Sequence, residues 1–191
     1  MSKHLTVKEK NDAAYDSLKA TLGLKNKLAA PKLVKVIISS ATGTAMKKDP
    51  KRNELVLNRL SKITGQKANV RGAKKSIASF KIRTGDPVGV TVTLRGARMY
   101  GFLEKLINIA FPRTKDFRGL ERKNLDSIGN LTIGIKEHTI FPETGDEDIR
   151  DVFGMAITIV TTAKDKKQGE AFFDYLGIPF KKKEEAAAKK K

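Results

Sequence analysis

"VGVTVTL", residues 88–94, decides how the chain is read. Val88, Val90, Val92 and Leu94 share one face of an extended segment, and Gly89, Thr91 and Thr93 share the other. Such a strand lays one side on a core and leaves the other small and polar, as in an antiparallel sheet covered on one face only. Two later stretches repeat the pattern: Leu131, Ile133 and Ile135 alternate with Thr132, Gly134 and Lys136, and Met155, Ile157 and Ile159 with Ala156, Thr158 and Val160. "PKLVKVIISS", residues 31–40, is β-branched and apolar after Pro31 and predicts a buried strand.

Helical periods lie between and around these strands. Val7, Asn11, Ala14, Leu18 and Leu22 predict one helix over 6–22, with Gly23 as its stop. Asn53 to Thr64 predicts a second, stopped by Gly65. Met99, Phe102, Leu103, Leu106, Ile107 and Ala110 predict a third, terminated by Pro112. Phe172, Phe173 and Leu176 mark a last one over 165–176, before Gly177. The expected fold class is α+β: an antiparallel β-sheet with helices packed on one face. Residues 1–180 read as a single α+β RNA-binding domain without an internal repeat, and 181–191, "KKKEEAAAKKK", as a lysine-rich, disordered tail. The uncovered face, bearing Thr91, Thr93, Thr132 and Thr158, suits RNA.

Charge points the same way. The 191 residues carry 39 Lys and Arg against 21 Asp and Glu, a formal charge of +18 that favours a polyanionic partner. From Ser61 to Leu125 fifteen cations face four acids, whereas Phe141 to Asp151 is acidic with Arg150 as its one cation. No cysteine is present, which excludes disulfides, thiolate metal sites and cysteine nucleophiles. The opening residues lack an apolar signal core and no stretch is long enough for a membrane span, so a cytoplasmic address without membrane is expected.

The densest cationic segment is "RGAKKSIASFKIRTGDP", residues 71–87, with Arg71, Lys74, Lys75, Lys81 and Arg83 before its first acid, Asp86. With strands ending near Arg71 and resuming near Val88, it forms a long basic loop projecting from the sheet, longer than hairpin loops usually are. Its cations neutralise phosphates, Gly72 allows close backbone approach, and Ser76 and Ser79 bond phosphate or 2′-hydroxyl groups. Phe80 either stacks on a base or anchors the loop on the body.

No constellation of residues suits catalysis. His4 and His138 have no recognisable partner, and His138 reads as an ordinary strand-end residue. "GAKKS" lacks the glycine that a phosphate-binding loop places before its lysine, since Ala73 stands there. The acidic run 143–151 lacks the glycine and final glutamate of a calcium loop. No catalytic residue, metal ligand or cofactor is assigned. An RNA-processing enzyme would need a carboxylate cluster or cofactor loop within the basic region, and a DNA-compacting protein would explain the charge but not the long loop.

Longer motifs are more specific. "ITGQK" (63–67), "AKKSIASFKIRTGDPVGVTVTLRGARMYGFLEKLINIAFPRTKDFRGL" (73–120), "GNLTIGIKEHTIFPE" (129–143) and "GMAITIVTTAK" (154–164) resemble, in order, the bacterial large-subunit ribosomal protein family that binds 5S rRNA, fifth in the large-subunit naming. The resemblance implies a non-enzymatic constituent of the large ribosomal subunit that attaches 5S rRNA to 23S rRNA among neighbouring large-subunit proteins. It implies 5S rRNA binding by Ser39, Gln66 and Thr93, with Thr91 and Arg95 beside them. It implies that Gly72, Lys74, Lys75, Ser76, Ser79, Phe80, Lys81 and Arg83 belong to a loop touching P-site tRNA. A contact with a small-subunit head protein is also implied, for which the acidic stretch 143–151 is the candidate. The chain departs from the family pattern at Ser39 and Ala41, where asparagine and glycine are usual, and in its lysine-rich extension.

Overall fold

The alternation of residues 88–94 is realised in β3 (Pro87–Leu94): Val90, Val92 and Leu94 are buried, with Thr91 and Thr93 half-buried between them. The computed structural model describes residues 5–43, 49, 51–115, 117–144 and 151–181. Among these, β3 joins β1 (Leu33–Ala41), β2 (Asn69–Gly72), β4 (Leu131–Ile135) and β5 (Met155–Thr161) in one antiparallel sheet of order β2-β3-β1-β5-β4. β1 and β5 run opposed, with Lys32 meeting Thr162 at one end and Ser40 meeting Gly154 at the other. In β4, Leu131 and Ile133 are buried while Thr132 and Gly134 are exposed. In β5, Met155, Ile157, Ile159 and Thr161 are buried and the residues between them half-buried. The expected α+β class with a sheet covered on one side is therefore what the chain adopts. The lysine-rich tail expected over 181–191 lies, beyond Lys181, outside the described residues.

The chain groups into two compact units: Met1–Val36 with Arg95–Ile133 and Thr158–Lys191, and Ile37–Leu94 with Gly134–Ile157. In the first unit the single helix expected over 6–22 is two, α1 (Val7–Asp12) and α2 (Ala14–Leu22), separated at Ala13, whose ψ of 3° leaves the helical region. Thr6 and Glu9 close a capping box on α1, and Glu104 Oε1 accepts from the Val7 amide at 3.0 Å. Asn11, the polar exception in the apolar stripe, is buried because it has work there. Its Oδ1 accepts from the Leu33 amide at 2.9 Å, and its Nδ2 donates to the Tyr100 hydroxyl at 3.2 Å. Burial, and then the Asp12 carboxylate, hold the Tyr100 phenol above its ordinary pKa, so it stays neutral as an acceptor.

The second unit is built on α3 (Arg52–Thr64), which packs on β2 and β3. Val56 and Leu60 are fully buried and Ile63 nearly so, each contributing about 1.5–3 kcal/mol of hydrophobic stabilisation. Gly65, at φ 64°, ends the helix and sets the turn that carries Gln66.

The helix expected to stop at Pro112 departs from expectation. In the first unit α4 (Gly96–Lys105) continues as a wide π turn over Leu106–Ala110 and ends only after Phe111–Arg113. Pro112 therefore sits inside the last turn and does not terminate the helix. Proline cannot donate to the carbonyl four residues back and crowds it; the wide turn, in which the Phe111 amide reaches Leu106 O, relieves that conflict. The last helix, α5 (Lys166–Leu176), is capped by Asp165 and by Gly177 at φ 93°, and it buries Phe172, Phe173 and Leu176. α1 packs on α4 and α5, and α2 on α5.

Candidate nucleic-acid interface

Gln66 and Thr93, 27 residues apart, are brought together by the turn after α3. Gln66 Nε2 donates to the Thr93 carbonyl oxygen at 3.1 Å, which leaves Gln66 Oε1 as an oriented acceptor. β2 and β3 pair with Asn69 opposite Thr91. The Thr42 amide donates to Val88 O at 3.0 Å, and counting back along this antiparallel pair puts Ser39 beside Thr91. Asn69, Thr91 and Ser39 thus form a polar row across three adjacent strands. Among the described residues, the hydroxyls of Ser39, Thr91 and Thr93 have no hydrogen-bond partner. Ser40, one residue along and on the buried face, donates to Gly154 O at 2.8 Å. Two neighbouring serines are therefore used oppositely: one is satisfied inside, and the other offers a donor and two lone pairs outward. Asn69 was not among the residues expected from sequence; its signal was its alternation with Val70 on a short strand. Arg95 follows β3 directly and is exposed at the head of α4.

The cationic segment is ordered rather than an open loop. Beyond Gly72 the ladder continues through Ala73 N to Asp86 O (2.8 Å) and Gly85 N to Ala73 O (3.0 Å). A second rung joins Ile77 and Ile82 reciprocally, at 2.9 and 3.2 Å. Between the two, Ser76 Oγ lies 3.1 Å from Thr84 Oγ1 and accepts from the Thr84 amide at 3.0 Å. Asp86 Oδ2 accepts from the Arg83 amide at 2.7 Å. A short 3₁₀ turn, Ala78–Phe80, crosses the end and is closed by Lys81, whose φ of 51° makes it the one non-glycine residue with positive φ among those described. That conformation costs on the order of 1 kcal/mol and persists because the rungs around it impose it. Lys74, Lys75, Ser76, Ser79, Phe80, Lys81 and Arg83 all have exposed or half-exposed side chains, Phe80 by 59%. At Gly72 a Cβ would meet Gly85 O at 3.0 Å, so the glycine keeps the two strands close where the extension leaves the sheet.

Residues 26–83 match the family model described as Ribosomal protein L5, and residues 87–180 match the model described as ribosomal L5P family C-terminus. The chain belongs to the ribosomal protein L5 family. "Large ribosomal subunit protein uL5" of Prochlorococcus marinus (strain AS9601) is 53% identical over 161 residues, covering 84% of this chain and 89% of that protein. The protein of the same name from Sulfurimonas denitrificans is 45% identical over 176 residues, covering 92% and 97% respectively. The chain is accordingly a structural, non-enzymatic ribosomal protein of the large subunit, and no helix among its described residues is long and apolar enough to cross a membrane.

A ribosomal protein's cations need not all serve RNA, and here several serve the fold. Arg122 Nη1 bonds Glu170 and, at 3.2 Å, Asp174 on α5, while its guanidinium lies 5.1 Å from the centre of the Phe180 ring. Lys123 and Lys181 both bond Glu121, and these bonds, that of Lys123 foremost, hold its carboxyl below the usual range. The chain between them is stitched by Leu120 N to Pro179 O (2.8 Å) and Lys181 N to Leu120 O (2.9 Å). Of the acidic stretch, residues 145–150 lie outside the described residues; Asp151 pairs with Arg52 at 3.3 Å. His138 is fully buried in a 3₁₀ turn rather than at a strand end. Its ring stacks on Phe153 at 4.2 Å and its Nδ1 accepts from the Phe153 amide at 3.3 Å, a packing role. In β4 and β5, Thr132 and Thr158 bond each other through their hydroxyls at 3.1 Å.

Proposed function

We propose that this chain binds 5S rRNA through the outward row of β1, β2 and β3, attaches it to 23S rRNA, and touches P-site tRNA with the basic hairpin extension. Residues 1–180 serve in this as one RNA-binding domain, in the ribosomes of the cytoplasm. The observation that carries the reading is the Gln66 side chain held on the Thr93 carbonyl, together with the hydroxyls of Ser39, Thr91 and Thr93, unpaired among the described residues. Side chains fixed in this way lose little entropy on binding and present donors and acceptors suited to ribose and phosphate. Arg95, exposed just after the end of β3, supplies charge. Ser39 is shorter than the asparagine usual in the family and reaches less far, so Gln66 and Thr93 carry the larger share. The five cations of residues 71–83, whose side chains have no partner among the described residues, suit a second, more strongly salt-dependent contact, the one assigned to tRNA. The acidic stretch 143–151 is assigned to a basic protein of the small-subunit head.

The test is a filter-binding titration of 5S rRNA with Gln66→Ala combined with Thr93→Val. Each hydrogen bond to RNA that is removed costs about 1 kcal/mol, so the pair should weaken binding by roughly tenfold or more. Undiminished affinity would place the RNA elsewhere on the chain.

A further inference from the structure

Asn69 is the one residue of the outward row that sequence spacing does not assign to RNA, and the strand it stands in does not explain it. Asparagine is disfavoured in strands, and β2 is a short strand at the edge of the sheet. Its position is nevertheless fixed from both sides. The Ala68 amide before it donates to Ser61 Oγ of α3 at 3.0 Å, and Asn69 itself is paired with Thr91. Residues opposed in this way share a face, with Cβ atoms about 5 Å apart. Asn69 is exposed, and its side chain has no partner among the described residues.

What Asn69 adds to the row is an amide. Ser39 and Thr91 each offer one hydroxyl, suited to ribose and phosphate oxygens. Gln66 uses part of its amide on the Thr93 carbonyl. The Asn69 amide keeps both protons and both lone pairs, so it gives and takes a hydrogen bond side by side, a pattern that matches a base edge and not a phosphate. The same face has room for a base. On the hairpin side of the row the next cross-strand pair of β3 and β1, by the same count, is Gly89 with Ala41, which leaves a low floor bordered by Arg71, the residue opposite Gly89.

Resting on the reading of this face as the 5S rRNA surface, we infer that Asn69 is a specificity-determining residue: its amide reads the edge of an unpaired base that carries a donor beside an acceptor, while the hydroxyls of Thr91 and Ser39 hold the sugar-phosphate chain next to it. The base is unpaired because the deep, narrow major groove of duplex RNA admits no side chain to its base edges.

The test uses the whole chain and 5S rRNA, by filter binding at several salt concentrations. Asn69→Ala is expected to weaken binding about tenfold, the scale of one two-pronged base contact. Asn69→Thr, a better strand former that keeps a hydroxyl and loses the amide, should weaken it as much, with an unfolding midpoint no lower than that of the parent chain. The logarithmic salt slope should stay the same in both, since no phosphate contact is lost. In chemical probing of the bound RNA, protection of one unpaired base should disappear in both variants. If both variants bind as the parent does, Asn69 only blunts the sheet edge and the inference is overturned. A loss accompanied by a shallower salt slope overturns it as well, because the amide would then be a backbone ligand. Gln66→Ala with Thr93→Val, measured alongside, separates the two readings: a loss there with full binding by the Asn69 variants keeps the surface and rejects the base reader, and no loss in any of them rejects both.

Discussion

Two cationic regions of the chain are built in opposite ways. Around Arg122, each positive group has an internal partner: Glu170, Asp174 and the Phe180 ring for the arginine, Glu121 for Lys123 and Lys181. Along residues 71–83, the side chains of Arg71, Lys74, Lys75, Lys81 and Arg83 have none among the described residues, and the hydrogen bonds that order the segment come from its backbone, its serine and threonine hydroxyls and Asp86. In the first region charge holds elements of one unit together. In the second the fold holds charge in place and leaves it open to an outside anion. Exposure alone would not separate them, because much of the Arg122 network is itself partly exposed.

The largest expected effect breaks the internally satisfied region by packing. Gly169 of α5 lies against the 126–130 turn so closely that a Cβ there would stand 2.6 Å from the Gly129 Cα. Gly169→Ala should therefore destabilise the protein by about 3 kcal/mol, read from urea or thermal unfolding. A change under about 0.5 kcal/mol would show that the two backbones separate without cost. Next comes Arg122→Ala, which leaves Glu170 and Asp174 facing each other; since all three side chains are partly exposed, about 1 kcal/mol is expected, shrinking at high salt.

Smaller again is an acid-dependent effect at Asp126. Burial opposes its ionisation, but the amide and side chain of Asn130 and the amides of Ile128 and Gly129 together hold its carboxyl below the ordinary value. A folded pKa below the unfolded one gives stability that is complete above about pH 4 and is lost as pH falls through the folded value. The melting temperature of Asp126→Asn should accordingly fall less steeply on acidification than that of the parent chain. A parallel decline would remove Asp126 from the acid response.

The smallest effect on stability is expected where the effect on RNA is expected to be large. Replacing Lys74, Lys75 and Lys81 by alanine should change unfolding free energy by less than about 0.5 kcal/mol. Each phosphate thereby left without its cation should make the logarithmic salt dependence of RNA binding shallower by about 0.7 to 0.9. A clear drop in stability would show that these lysines hold the fold after all, and would erase the contrast between the two regions.

The strands were legible because alternation is a local property. Val88 to Leu94 needed no partner strand to show which side faced the core, and Thr91 and Thr93 fall on the outward side by the same count. Helix ends were legible where a glycine takes positive φ, as at Gly23, Gly65 and Gly177. Pro112 misled because its conflict with the preceding turn is resolved by a change of helix type, which no residue announces.

By itself, then, the sequence determined the half-covered sheet, the concentration of positive charge and the family, since each rests on residue types and short spacings. Only the tertiary structure decided that Asn11 belongs in the core, that Gln66 rests on Thr93, that Arg122 is paired inside while Lys74 is not, and that Ser76 and Thr84 bond across the hairpin. These are pairings between residues far apart in the chain or on opposite strands of a hairpin, and a hydrogen bond or ion pair is set by the distance between two groups, which spacing along one chain does not contain.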